Sequence, residues 1–148
     1  MPDTCTASEF ETLCRLNGWK CTVQRFKVYE FLRGNRTHPT VDDVCRAVRQ
    51  TLPRVSTDSI YRILDQFSEV NVIRKLASFT PVRYDWETAT HTHFVCRSCN
   101  AAEDLENIPV PEIPAGLNMS TIGQVLSAEY LVEGICNRCL NQNKGVKK

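Results

Sequence analysis

Nine consecutive residues, His91-Thr92-His93-Phe94-Val95-Cys96-Arg97-Ser98-Cys99, bring two imidazoles and two thiols together. Cys96 and Cys99 make a C-x-x-C knuckle. Cys136-Asn137-Arg138-Cys139 repeats it after 36 intervening residues. Four thiolates in two such pairs are the ligand set of a closed, tetrahedral structural zinc, one Zn2+ per chain. Such an ion pins a domain too small to build much core. Buried free thiols and a disulfide are the competing readings, and the paired knuckle spacing favours metal.

A looser group surrounds this one. His91 and His93 alternate on a short predicted strand, so both rings can face one side. Asp85 precedes them on the outward face of another predicted strand. Asp104 follows on the expected hairpin partner, and His38 stands before Pro39 at the start of a helix. Three imidazoles and two carboxylates suit a divalent transition ion such as Fe2+ or Mn2+, with Zn2+ as a competitor. Spacing alone leaves a second reading open, that these are solvated or internally satisfied polar side chains. Only His91-x-His93 beside a knuckle stands apart from it.

The elements that must position these groups are legible from caps and periodicity. Ser8-Glu9-Phe10-Glu11 has capping-box form and predicts a helix with Phe10, Leu13 and Leu16 on one face, ended by Gly18. Thr22 caps a second helix, striped by Val23, Phe26, Tyr29 and Leu32. Thr40, with Asp43, caps a third, striped by Val41, Val44, Val48 and Leu52 and stopped by Pro53. Ser56 opens a fourth, with Ile60, Ile63, Leu64 and Phe67 inward and Asn71 at its end. The third and fourth form a helix-turn-helix. Val72–Leu76 and Val82–Trp86 alternate as the two strands of a wing. Beyond the cysteine-histidine stretch, Ala102–Leu105 is expected to pair with Phe94–Cys96, and Gly123–Val132 to form a strand. Residues 107–120 hold three prolines and allow at most a short helix, and 141–148 read as a polar, frayed tail. The predicted fold is α+β, with a winged helix-turn-helix domain at 1–86 and a small α/β dimerisation domain carrying the four-cysteine zinc site at 87–148.

Composition sets the bounds. The chain has 148 residues, 42% of them hydrophobic, and no apolar run near the ~20 residues of a membrane span. Met1 to Gly18 lacks a basic start followed by an apolar core. A cytoplasmic protein without a membrane partner is expected, and there eight cysteines favour metal over disulfides. Net charge is +1, but 1–80 carries 12 Lys/Arg against 9 Asp/Glu, and 81–148 carries 6 against 8. A basic front and an acidic back fit phosphate contact at one end and cation binding at the other.

The outer face of the fourth helix offers Thr57, Ser59, Tyr61 and Arg62. Arg62 can fork onto a guanine or a phosphate, and Tyr61 can stack or bond a phosphate. Lys20, Arg25 and Arg54, with Arg74 and Lys75, are expected DNA-backbone contacts. An ordinary amphipathic helix is the alternative, and Asp58 and Asp65 oppose phosphate. Cys5, Cys14, Cys21 and Cys45 lack knuckle spacing. Cys14 and Cys45 read as small core residues, Cys5 and Cys21 as exposed and oxidisable.

These motifs together resemble the ferric uptake regulator family. The resemblance runs from about Thr22 to Cys139. It rests on Thr22-Val23-Gln24-Arg25, His38-Pro39-Thr40-Val41-Asp42-Asp43-Val44, Ser56-Thr57-Asp58-Ser59-Ile60-Tyr61-Arg62, Arg83-Tyr84-Asp85, the H-x-H-x-x-C-x-x-C stretch and the final C-x-x-C. It implies a homodimer joined through the C-terminal domain. It also implies metal-dependent repression at AT-rich inverted repeats in double-stranded DNA. Aspartates rather than glutamates around the regulatory metal resemble the peroxide-sensing branch. That branch implies one Fe2+ or Mn2+ per subunit on His38, Asp85, His91, His93 and Asp104. Peroxide would oxidise His38 or His91 when iron is bound. Asn100 replaces the usual glycine after the first knuckle, Leu126-Ser127-Ala128-Glu129 lacks the common histidines, and Glu103 offers an alternative carboxylate. Arg62 is closer to the iron sensors, so an iron- or zinc-availability repressor is the second reading.

Other classes fit less well. A thiol oxidoreductase requires a low-pKa thiol at a helix start in a βαβ setting. A zinc-bound adaptor would leave the Ser56–Phe67 helix and its wing without a purpose. The sequence shows no catalytic triad, P-loop or dinucleotide fingerprint, so no enzyme is expected.

Overall fold

The computed structural model describes residues 4–112, 121–125 and 128–144. Its contacts divide the chain into two compact units, Met1–Thr88 and Ala89–Lys148.

The first unit holds α1 (Thr4–Leu16), α2 (Val23–Leu32), α3 (Val41–Arg49) and α4 (Thr57–Glu69), then the antiparallel pair β1 (Arg74–Leu76) and β2 (Arg83–Asp85). The caps of α2, α3 and α4 lie where the sequence places them. The Thr22 side chain accepts from the Arg25 amide, and Ser56 accepts from Ser59. Thr40 and Asp43 complete a reciprocal capping box. The inward stripe of α4 is buried along its whole length, Ile60, Leu64 and Phe67 completely. These residues join Phe10, Val28, Tyr29, Leu32, Val44 and Val48 in one core. The aromatic rings interlock there, with Tyr29 edge-on to Phe67 at 6.2 Å and to Trp86 at 5.5 Å.

Several details depart from the periodicity. Helix α1 begins at Thr4, four residues before Ser8. Its buried face is Phe10 and Cys14, whereas Leu16 is 77% exposed. On α2, Val23 is exposed and Val28 is buried in its place. The wing strands are three residues each, shorter than the alternation suggested. Asn71 ends α4 at φ 57°, a left-handed conformation that asparagine tolerates.

The second unit is a three-stranded sheet of order β4-β3-β5 followed by α5 (Asn137–Lys144). β3 (Thr92–Cys96) pairs antiparallel with β4 (Ala102–Leu105) and parallel with β5 (Tyr130–Gly134). The expected hairpin is present, and its register sets His93 directly opposite Asp104. The last strand starts later than the Gly123–Val132 expectation, and α5 occupies residues read as a polar tail. Residues 113–120, 126–127 and 145–148 of the segments read from sequence lie outside the described residues, as does the side chain of Cys5. Among the described residues, no helix is long and apolar enough to cross a membrane.

Candidate metal centres and nucleic-acid face

The two knuckles meet in the second unit. Cys96 and Cys99 lie at the end of β3 and in the turn after it. Cys136 immediately precedes α5, and Cys139 lies in its first turn. The four sulfurs lie within 4.8 Å of one another. Cys96 Sγ is 3.9 Å from Cys139 Sγ, and Cys99 Sγ is 3.8 Å from Cys136 Sγ. Zinc–sulfur bonds of ~2.3 Å in a tetrahedron separate sulfurs by ~3.8 Å, so the four thiols fit zinc.

Backbone amides favour the thiolate at two of these cysteines. The Cys136 amide donates to Cys96 Sγ at 3.3 Å. That bond, with those of the Cys99 and Ser98 amides, lowers the Cys96 thiol to about 6 despite burial. The Ala101 amide and then the Arg138 guanidinium, 3.4 Å away, lower Cys99. At Cys139 the Ser98 hydroxyl pulls downward, but burial and the three neighbouring sulfurs outweigh it and push the thiol up to about 11. Four sulfurs this close cannot all ionise without a cation among them. Asn100 turns the knuckle at φ 56°, which is how this chain manages without glycine there.

The histidine-carboxylate residues form two groups, one in each unit. In the first unit, His38 is fully buried and its Nε2 lies 3.8 Å from Asp85 Oδ2, itself 1% exposed. Strand alternation would face Asp85 outward. Instead it points into the protein, and its Oδ1 accepts the Glu87 amide at 2.9 Å. The Arg83-Tyr84-Asp85 strand also fixes His38. Arg83 Nη1 donates to the His38 carbonyl at 2.8 Å, and the Tyr84 amide donates to Pro39 O at 3.0 Å. His38 is held at φ 50°, a region costly for a residue with a Cβ. It persists there because its own carbonyl and that of Pro39 are anchored to this strand.

In the second unit, His91 Nε2 is 2.8 Å and His93 Nε2 3.5 Å from the same Asp104 oxygen. The two imidazoles pack with centroids 4.3 Å apart. His91 Nδ1 lies 2.9 Å from the Ala89 carbonyl. Nδ1 can only be the donor in that contact, so Nε2 is left as the ligand atom. Strand alternation places Glu103 opposite Phe94, on the other face from Asp104. Asp104 is therefore the carboxylate that shares a face with His93.

The outer side of α4 has Tyr61 and Arg62 exposed, with Thr57 and Ser59 half-buried. Thr57 Oγ1 accepts from Arg49 Nη2 at 2.9 Å, and Ser59 Oγ lies 2.8 Å from Ser56 Oγ. Lys20 and Arg54 are exposed. Arg25 is engaged inside the first unit. Its Nη2 donates to Gln66 Oε1 at 2.7 Å, its Nη1 donates to the Lys20 carbonyl, and its guanidinium lies 5.3 Å from the Trp19 ring centre. Arg49 and Gln66 thus position the face. Their role had no sequence signal, because a long polar side chain on a helix reads as solvated.

Comparison with known proteins identifies the family and the fold. The sequence model of the ferric uptake regulator family matches residues 16–121. The peroxide-responsive repressor PerR of Staphylococcus saprophyticus is 28% identical over 129 residues, covering 86% of this chain and 87% of its own. PerR of Staphylococcus aureus is 27% identical, covering 84% and 85%. The Helicobacter pylori ferric uptake regulator, described with three functional metal-binding sites, superposes with a TM-score of 0.69 at 24% identity over 92% of both chains. A zinc uptake regulator bound to zinc and DNA superposes with a TM-score of 0.60 at 21% identity, over 96% and 99%. Those two structures share the fold. With the match spanning most of the sequence, the chain belongs to the ferric uptake regulator family of metal-responsive repressors.

Proposed function

We propose that this protein is a metal-dependent, peroxide-responsive transcriptional repressor. It acts as a homodimer on AT-rich inverted repeats of double-stranded DNA. Cys96, Cys99, Cys136 and Cys139 hold a structural Zn2+. His38, Asp85, His91, His93 and Asp104 together serve one regulatory Fe2+ or Mn2+ per subunit. The observation that carries the reading is the donor chemistry of the two groups. Two donors in the first unit and three in the second are each too few to satisfy a transition ion, and together they make five. Five protein donors, two of them hard carboxylates, would suit Fe2+ or Mn2+. Iron bound there would supply the redox chemistry by which peroxide adds oxygen to a ligand imidazole, whereas manganese would be redox-silent.

The protein's own residues do the rest. The bonds to the His38 backbone and to the His91 ring hold these two residues in place. Ion binding couples to DNA binding because two of the five donors, Asp85 and His38, belong to the same unit as the DNA-reading helix. Lys20, Arg54, Thr57, Ser59, Tyr61 and Arg62 face the DNA, and Arg25 supports that face through Gln66. The experiment is an anisotropy titration of an AT-rich palindrome with zinc-loaded protein, with and without Mn2+. The account expects Mn2+ to tighten binding by roughly 100-fold, the range of allosteric coupling. Equal affinity in both conditions contradicts it. The use of aspartates, and similarity to PerR proteins, favour peroxide over metal availability as the signal.

A further inference from the structure

Each cysteine knuckle encloses an arginine, Arg97 in the first and Arg138 in the second. Their side chains take opposite courses. Arg97 pairs with Glu133, with Nε 3.0 Å from the carboxylate. Arg138 turns to the sulfurs, and its Nη2 donates to Cys99 Sγ at 3.4 Å. Cys96 and Cys139 are buried and Cys136 is half-buried, but Cys99 is exposed. Arg138 therefore lies on the sulfur of the four that is most open to solvent.

The place of Arg138 in its own helix runs against local preference. It is the second residue of α5, where the positive end of the helix dipole disfavours a cation, and no acidic residue in that turn offsets it. The sulfur cluster accounts for a guanidinium there. Four thiolates around one Zn2+ set four negative charges against two positive, which leaves net negative charge for a cation to balance. A hydrogen bond to a ligand atom also fixes that ligand's orientation toward the ion.

We propose that Arg138 is a positioning residue of the zinc site, which holds the exposed Cys99 sulfur on the ion and balances the negative charge of the cluster, so that zinc is retained. Arg97, engaged by Glu133, has no part in this. Cys99 is the ligand a competing chelator meets first, because its sulfur faces solvent. With the guanidinium in place, that sulfur is oriented and its charge is offset. Without it, the outermost ligand is the one held least. The proposal rests on the assignment of zinc to the four cysteines and is independent of the regulatory metal and of DNA.

The test uses full-length, zinc-loaded protein under argon, with a chromophoric chelator in excess to follow zinc release. Arg138→Gln is expected to lose zinc roughly 10-fold faster, the scale on which partners of metal ligands act. Arg138→Lys, which keeps the charge, recovers part of the difference. Arg97→Gln, an exposed change in the other knuckle, releases zinc at the wild-type rate. In a second arm Co2+ replaces zinc, and its sulfur-to-metal charge-transfer band reports the electron density on sulfur. A donor on Cys99 makes that density harder to remove, so Arg138→Gln shifts the band to longer wavelength, which a loss of packing alone does not do. Wild-type release with an unshifted band in Arg138→Gln overturns the proposal. So does equal acceleration in Arg97→Gln, since surface charge in general would then be the cause. The zinc content of the wild-type protein, measured first, tests the assignment separately, and a chain that holds none overturns both.

Discussion

His91 Nε2 lies 2.8 Å from Asp104 Oδ1, while the other nitrogen of the same ring points at the Ala89 carbonyl. The carbonyl and the carboxylate are both acceptors, so Nδ1–H donates to the carbonyl, and the 2.8 Å gap between Nε2 and the carboxylate is one that a proton or a cation must fill. A ring oriented this way is ready to ligate a cation. His93 reaches the same oxygen at 3.5 Å. Replacing Asp104 with Asn keeps the size and removes the charge. We expect D104N to retain zinc and fold normally but to need at least ~10-fold more Mn2+ for DNA binding, as metal-site changes typically cost 10–100-fold. Metal titration followed by anisotropy measures this.

The sulfur and imidazole groups should separate by mutation. Cys99→Ala leaves three thiols around a site that fits four. A structural zinc contributes on the order of 10 kcal/mol to folding a small metal domain, so this variant should lose zinc and melt at a markedly lower temperature. His93→Ala should keep zinc and its melting temperature yet lose metal-dependent DNA binding. Metal analysis and calorimetry on both variants check the split, and identical behaviour would contradict it.

Arg25 and Arg62 should also differ. Arg62 is exposed on α4, whereas Arg25 is bonded to Gln66 and the Lys20 carbonyl. R62A should weaken DNA binding by roughly 1–3 kcal/mol if it reads a base, with no change in melting. R25A should lower both affinity and melting temperature, because it removes internal bonds.

Much of the first unit was legible because its signals are local. Thr40 with Asp43, and Ser56 before Ile60, mark helix starts through hydrogen bonds spanning three residues. The α4 stripe marks its buried face. Asp85 was not legible. Strand alternation with Tyr84 says outward, but the side chain turns toward His38, which stands far away in sequence. Arg25 likewise reads as a surface charge until Trp19 and Gln66 surround it. Helix α5 has no apolar stripe. Among its described side chains only Cys139 is buried, and the helix is anchored by the knuckle, with the Leu140 amide donating to the Cys136 carbonyl at 3.0 Å. Of the metal residues, the four cysteines were legible from spacing. Of the five others, His91 and His93 stood out by their spacing beside a knuckle, and the full set came together through the family resemblance.

The α3 capping box gives a pH-dependent prediction. The Thr40 amide first and the Thr40 hydroxyl second hold Asp43 below the usual carboxylate range. Its folded pKa is depressed, so its stabilisation is present above the unfolded value near ~3.9 and lost as pH falls through the folded value. D43A should cost about 1 kcal/mol at neutral pH and much less in acid. Urea unfolding at both pH values measures the difference.

The most direct measurement is anaerobic. Fe2+ is loaded onto zinc-replete protein, hydrogen peroxide is added, and oxygen gain is mapped by peptide mass against an Mn2+-loaded control. The account predicts one added oxygen on the His38 or His91 peptide, absent with Mn2+, together with loss of DNA binding. Unmodified histidines, with DNA binding that merely follows metal concentration, would contradict peroxide sensing and leave a repressor that reports metal availability.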